Sequence, residues 1–209
     1  IVKDAAQLTA ATATGSTVKT IIVDGTVVCA ADPCAGLEAG QKITGAGVVD
    51  GVTLAGIAKL DMTRTGDEST PPENNNFTVI TLAKGATVEG LEISGRDIYT
   101  AIRGVDTDFV GSTDADLVTV KNVKIVGPTS NTPIGFTLSA GQTESTYNML
   151  IDGLTVEKAN RTVGFPAFQK LTIRNSTFNT SVATGNGIFF QSEGTSEVIL
   201  ENVKVNSSI

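Results

Sequence analysis

The chain has no histidine and only two cysteines, so the chemistry open to it is narrow. General acid–base work would fall to carboxylates, lysines or tyrosines. Carboxylates concentrate between positions 106 and 116, where Asp106, Asp108, Asp114 and Asp116 could supply hard oxygen ligands to Ca²⁺. Their spacing departs from an EF-hand, whose twelfth position is a bidentate glutamate, and the competing reading is a solvated acidic loop. No bound cofactor other than calcium is implied. A second group of charges, Arg64, Asp67 and Glu68, lies between Ala55 and Asn76 beside Pro71 and Pro72. A structureless stretch of about 20 residues in a compact domain is either functional or disordered. On the first reading these three residues are candidate ligand contacts.

Cys29 and Cys34 flank Asp32-Pro33. Zinc requires about four ligands, and neither a histidine nor a third cysteine is present to complete the set. Two unrelated buried thiols remain an alternative. The preferred expectation is a disulfide across a loop that turns back on itself, contributing about 2 kcal/mol through loop-closure entropy. Such a bond implies an oxidising compartment, hence a secreted or cell-surface protein.

A formal net charge of −7 and the lack of a basic stripe argue against a nucleic-acid partner. No apolar run approaches the roughly 18 residues of a membrane span, so no membrane insertion is expected. Aromatic residues make up only 5% of the 209 residues, whereas Gly, Thr, Val, Asn and Ala abound. That mixture suits many short strands joined by turns, because β-branched residues fill pleats and Gly and Asn accept φ > 0 in corners.

One hexapeptide recurs: aliphatic, charged, Gly or Asn, small or aliphatic, any residue, apolar. It starts at Val23, Val49, Val88, Val120, Ile151, Ile173 and Leu200, with spacings of 26, 39, 32, 31, 22 and 27 residues. Uneven spacing around a constant corner predicts coils of similar cross-section joined by variable loops. In each copy the apolar residues on either side of the bend point inward and the charged residue before it points to solvent, with no catalytic role. The bend residues Gly25, Gly51, Gly90, Asn122, Gly153, Asn175 and Asn202 are expected to stack in one line, and the asparagines to hydrogen-bond along it. A third strand is read near Val79–Leu82, Ala101–Arg103, Ile134–Leu138, Val163–Phe165 and Gly187–Phe190, with Phe136, Phe165 and Phe189 as a core ladder. The fold class expected is therefore all-β: a right-handed parallel β-helix of about seven coils, three short strands per coil, in a single domain over residues 1–209.

With these features the chain resembles the pectin-lyase-like superfamily, whose members include pectate lyases, polygalacturonases, phage tailspikes and surface adhesins. Asp4–Ser16 running into Val18–Cys29 looks like that family's short N-terminal capping helix and first coil, and Gln41–Val48 is similar to its second coil. Val205–Ile209 carries no cap motif, which leads to the expectation that the chain is the N-terminal part of a longer protein. The resemblance implies a groove formed by the third strands and the loops that enter them. Arg103 then lies on a groove strand with Arg96 and Asp97 just ahead of it, and these join Arg64, Asp67 and Glu68 as candidate binding residues. The third strands carry no Asp or Glu, whereas glycoside hydrolysis needs two facing carboxylates about 5 to 9.5 Å apart. Elimination would need calcium carboxylates together with a base.

The sequence thus leads to a non-enzymatic expectation: an adhesin-like surface module binding a host or matrix glycan or protein through loops on its flank. A polysaccharide lyase or glycoside hydrolase acting on acidic polysaccharide is the second reading, and a structural spacer the third. Tyr99 and Tyr147 are the only tyrosines, which limits any aromatic sugar platform.

Overall fold

Runs of three to six residues that alternate inward aliphatic with outward polar side chains cannot form a core alone. Each must pair with a similar run one turn further along the chain. In the computed structural model this pairing links seven successive coils. The structure describes residues 1–29, 31–45, 48–49, 52–53, 58–62, 77–95, 98–105, 109, 112–129, 134–137, 147–159, 163–166, 168–180, 188–191 and 196–207.

The first coil comprises β1 (Thr20–Ile22), β2 (Thr26–Val28) and β3 (Ala35–Gly36). The second begins with β4 (Lys42–Thr44), passes through a hairpin of β5 (Val48–Val49) and β6 (Val52–Thr53), and continues in β7 (Lys59–Asp61) and β8 (Phe77–Thr81). The third holds β9 (Thr87–Glu89), β10 (Glu92–Ser94) and β11 (Ile98–Val105), and the fourth β12 (Val118–Lys121), β13 (Lys124–Thr129) and β14 (Ile134–Thr137). The fifth is β15 (Tyr147–Asp152), β16 (Thr155–Ala159) and β17 (Val163–Pro166); the sixth is β18 (Phe168–Arg174), β19 (Thr177–Thr180) and β20 (Ile188–Gln191). The last consists of β21 (Glu197–Glu201) and β22 (Lys204–Ser207).

First strands pair in parallel from β1 to β21, second strands from β2 to β22, and third strands from β3 to β20, giving sheets of seven, seven and six strands. This is a parallel β-helix. Its core is a set of inward rows that follow the pairing register. One row is Ile21, Ile43, Val88, Val120, Ile151, Ile173 and Leu200; another is Val27, Leu60, Ile93, Ile125, Val156, Phe178 and Val205. Every member except the last of each row is buried. Among the described residues no helix is long and apolar enough to cross a membrane.

The amino end is covered by a helix, α1 (Ala5–Ala11), as expected. Asp4 caps it by accepting from the Gln7 amide, and Leu8 is fully buried over the first coil. The buried Gln41 side chain donates to the carbonyls of Ala11 and Val18, tying the end of α1 to the second coil.

The corner between first and second sheets is the repeated device of the fold. In the last five coils it is two residues long, and its first residue takes positive φ: Gly90 (62°), Asn122 (50°), Gly153 (74°), Asn175 (51°) and Asn202 (50°). In the left-handed region other residues pay about 1–2 kcal/mol. Five of the seven expected bends therefore stack in line, and two require correction. Gly25 lies two residues past the bend position, because Val23 makes the bend hydrogen bond to Thr44 and the first corner holds an extra residue. The hexapeptide starting at Val49 is not a corner at all: it supplies the antiparallel hairpin of β5 and β6, with Val49 opposite Val52. Gly51 itself lies outside the described residues. The true corner of the second coil is Gly45, whose amide bonds Glu89 O. A Cβ at Gly45 would come within 2.0 Å of the Ala58 Cβ and 2.6 Å of Leu91 Cδ2, so no side chain fits there.

The expected phenylalanine ladder also shifts. Register places Phe165 beside Phe190, and Phe189 beside Gly164. The third strand of the first coil, β3, is too short to have been visible in the sequence.

Candidate functional site

Corners bordering the third sheet differ from the two-residue corner that repeats in the last five coils. Segments entering or leaving it range from a single residue (Ala167) to fifteen (62–76). Variation in a repeat protein collects on the face that is not fixed by packing, and that face is often the binding face.

The third sheet itself is sparsely functionalised. Ala35, Ile80 and Ile102 are buried and in register, so the neighbouring row, Gly36, Thr81 and Arg103, belongs to the outer side. That row continues in register through Gly135, Gly164 and Phe189. Arg103 is the only charged residue among the six third-sheet strands, and it is half-buried. Its carbonyl accepts from the Leu82 amide at 2.8 Å. Adjacent strands lie about 4.8 Å apart, so the two glycines beyond Arg103 leave roughly 10 Å of backbone without side chains. Thr81, Gly135 and Gly164 were not singled out in the sequence. Their signal was the register itself, which appears only once the third strands are aligned.

Arg96 and Asp97 lie outside the described residues, immediately before β11, and so do Arg64, Asp67 and Glu68 between β7 and β8. All five are in segments that enter the third sheet, next to coils two and three.

Of the four candidate calcium ligands, Asp106 and Asp108 lie outside the described residues. Asp114 and Asp116 form a single 3-10 turn between β11 and β12, and each spends a carboxylate oxygen on the fold. Asp114 Oδ1 accepts from Asn148 Nδ2 at 3.0 Å. Asp116 Oδ2 accepts from the Thr113 amide at 2.9 Å and the Thr113 hydroxyl at 3.0 Å, and these bonds hold its carboxyl below the ordinary carboxylate range. Among the described residues no three acidic, histidine or cysteine side chains converge on one point.

Cys29 and Cys34 are disulfide-bonded, with Cα atoms 5.2 Å apart, at the corner where β2 leads into β3. Both are buried, and the Asp32-Pro33 peptide between them is cis. Asp32 Oδ1 also accepts from the Thr78 amide, which joins this loop to the second coil.

The charges before the bends form an outer row of alternating sign: Glu89, Lys121, Asp152, Arg174, Glu201. Glu89 pairs with Lys42 and with Lys121 (3.8 Å), and Asp152 with Arg174 (2.9 Å). Partly exposed pairs of this kind contribute about 0–1 kcal/mol each. They support the stack. Comparison with known protein families, with curated proteins and with solved structures finds no match for this chain.

Proposed function

We propose that this protein is a secreted or cell-surface β-helix module of the pectin-lyase-like type, adhesin-like, which binds a host or matrix ligand on its third-sheet flank. The observation that carries this reading is the contrast between corners: two residues in five coils on one side, one to fifteen on the borders of the third sheet. A stack that keeps one corner at two residues in five of its coils and varies the corners that border the third sheet is a scaffold for loops. The disulfide at the first such border supports an oxidising compartment. Arg103 on an outer row with two glycines suits an acidic group on the ligand, because a guanidinium stays protonated and offers forked donors.

The test is binding of the purified protein to arrayed acidic and neutral glycans and to matrix proteins. Two variants accompany it: Arg103→Ala, and replacement of 63–76 by a short Gly-Ser linker. Binding that weakens about tenfold or more in either variant, with melting behaviour unchanged, is the expected result. Equal binding by all three proteins would remove the flank from the account. Release of unsaturated product from polygalacturonate with added Ca²⁺, lost in Arg103→Ala, would replace the adhesin reading with the lyase.

A further inference from the structure

The longest segment on the border of the third sheet, 62–76, stands on two feet: the end of β7 at Asp61 and the start of β8 at Phe77. Keeping the ends of such a segment together costs entropy that rises with its length, so the neighbouring rungs must hold them. From the third coil, Ser94 O accepts from the Met62 amide, and Ile98 pairs with Phe77. Gly95 closes on the first foot so tightly that a Cβ there would come within 2.3 Å of Met62 O. From the first coil, both feet are held by one loop, the six residues between β2 and β3 that the disulfide closes. The Cys29 amide donates to Asp61 O at 2.8 Å. On the other side of the loop the Thr78 amide donates to Asp32 Oδ1 at 3.0 Å, and the Cys34 amide donates to Thr78 O at 3.4 Å. One cysteine thus stands against each foot, and the bond between them holds their Cα atoms 5.2 Å apart.

The same clamp reaches Arg103. Cys34 directly precedes β3, which is two residues long and whose register runs from Gly36 through Thr81 to Arg103. The Leu37 amide donates to Thr81 O, and the Leu82 amide to Arg103 O. A strand this short has too few ladder bonds to fix its own place in a sheet, and the covalent tie at its first residue supplies what the ladder lacks. Cys29, Cys34, Met62 and Val79 belong to one buried cluster, so a shift of either cysteine is passed to both feet by packing.

We propose, on the reading of the third-sheet flank as the binding face, that the Cys29–Cys34 disulfide is the positioning device of that flank. Its formation sets both feet of 62–76 and the row of Thr81 and Arg103 for ligand binding, whereas the stack itself folds without it. On oxidation the two thiols give up two electrons and two protons to a disulfide of the oxidising compartment. An S–S bond forms between Cys29 and Cys34 as the oxidant's own S–S bond breaks, and the oxidant leaves as a dithiol. The reduced chain keeps its coils because the inward rows of the first and second sheets contain neither cysteine. Binding is then under thiol–disulfide control at a point remote from the ligand.

The test compares the oxidised protein with Cys29→Ala/Cys34→Ala and with Asp32→Ala, which removes the bond to Thr78 and keeps the disulfide. Amide hydrogen exchange is read at Leu37 and Thr78 on the clamp and at Lys124 and Thr155 in later coils, with polygalacturonate as the acidic probe for binding. In the double variant, exchange at Leu37 and Thr78 should accelerate about tenfold more than at Lys124 and Thr155, and polygalacturonate binding should weaken about tenfold. Asp32→Ala should accelerate Thr78 alone and weaken binding by a smaller factor. Equal acceleration at all four positions would make the bond a general staple and overturn the proposal, as would full binding by the double variant or its failure to fold. Unchanged Thr78 exchange together with unchanged binding in Asp32→Ala would overturn it too. An oxidised parent that ignores polygalacturonate, with the exchange pattern as expected, would instead remove the acidic ligand from the reading of the flank and support the clamp.

Discussion

At the bend, residue choice is dictated by two requirements: the left-handed backbone, and space beside the rung below. Gly153 shows both. Its φ is +74°, and a Cβ there would approach Asn122 Oδ1 to 2.6 Å. Gly153→Ala is expected to lower stability by about 2 kcal/mol, part from the backbone and part from the contact. In an Asn122→Gly background the same substitution should cost about 1 kcal/mol, because only the backbone term remains. Urea denaturation of the four proteins measures both values, and equal costs in the two backgrounds would rule out the contact. Asp152, one position earlier, accepts from Asn175 and pairs with Arg174; the two bonds hold its carboxyl below the ordinary carboxylate range. A carboxyl depressed in the folded state contributes stability that is fully present above its unfolded pKa and is lost as pH falls through the folded value. Asp152→Asn should therefore be less stable than the parent at neutral pH, and the gap should close as pH falls below about 4. A gap independent of pH would show that the pairing is energetically silent.

Among the elements, corners rather than strands decide how far the sequence could be read. Five corners were legible because a two-residue turn with Gly or Asn at positive φ leaves a fixed hexapeptide, and most third strands were legible from their short apolar runs. The pattern failed where another turn uses the same residues. Asp50-Gly51 between Val49 and Val52 reads equally as a β-helix bend and as a two-residue hairpin, and Asp-Gly between alternating hydrophobics favours the hairpin. Gly45 at the real corner was hidden because its requirement is the absence of a Cβ beside Ala58, a tertiary fact. The candidate site was less legible than the fold. Arg103 could be placed on a third strand, but its row of Thr81, Gly135 and Gly164 depends on register across coils. Cys29 and Cys34 were readable from spacing and from the loop between them, and their bond fastens the first border of the third sheet. Replacing both by alanine should lower stability by about 2 kcal/mol. Denaturation of the double variant tests this value, and an unchanged midpoint would show that packing around α1 and the first coil suffices without the bond.

The whole molecule is a stack in which each coil buries the inward row of the one before it. Its length follows from strand spacing rather than from any single contact. Rigid stacking is also what the proposed function needs, because loops on one flank can cooperate only if the coils that carry them keep their order. The most direct test is a distance along one outward row of the first sheet, Thr20, Lys42, Thr87, Thr119, Leu150, Thr172 and Ile199. Spin labels at Thr20 and Ile199, with the native disulfide intact, are read by pulsed electron resonance. Six steps of about 4.8 Å place the two Cα atoms about 29 Å apart, so a single narrow distribution centred near that value is expected. A broad distribution, or one centred below about 20 Å, would contradict the seven-coil stack.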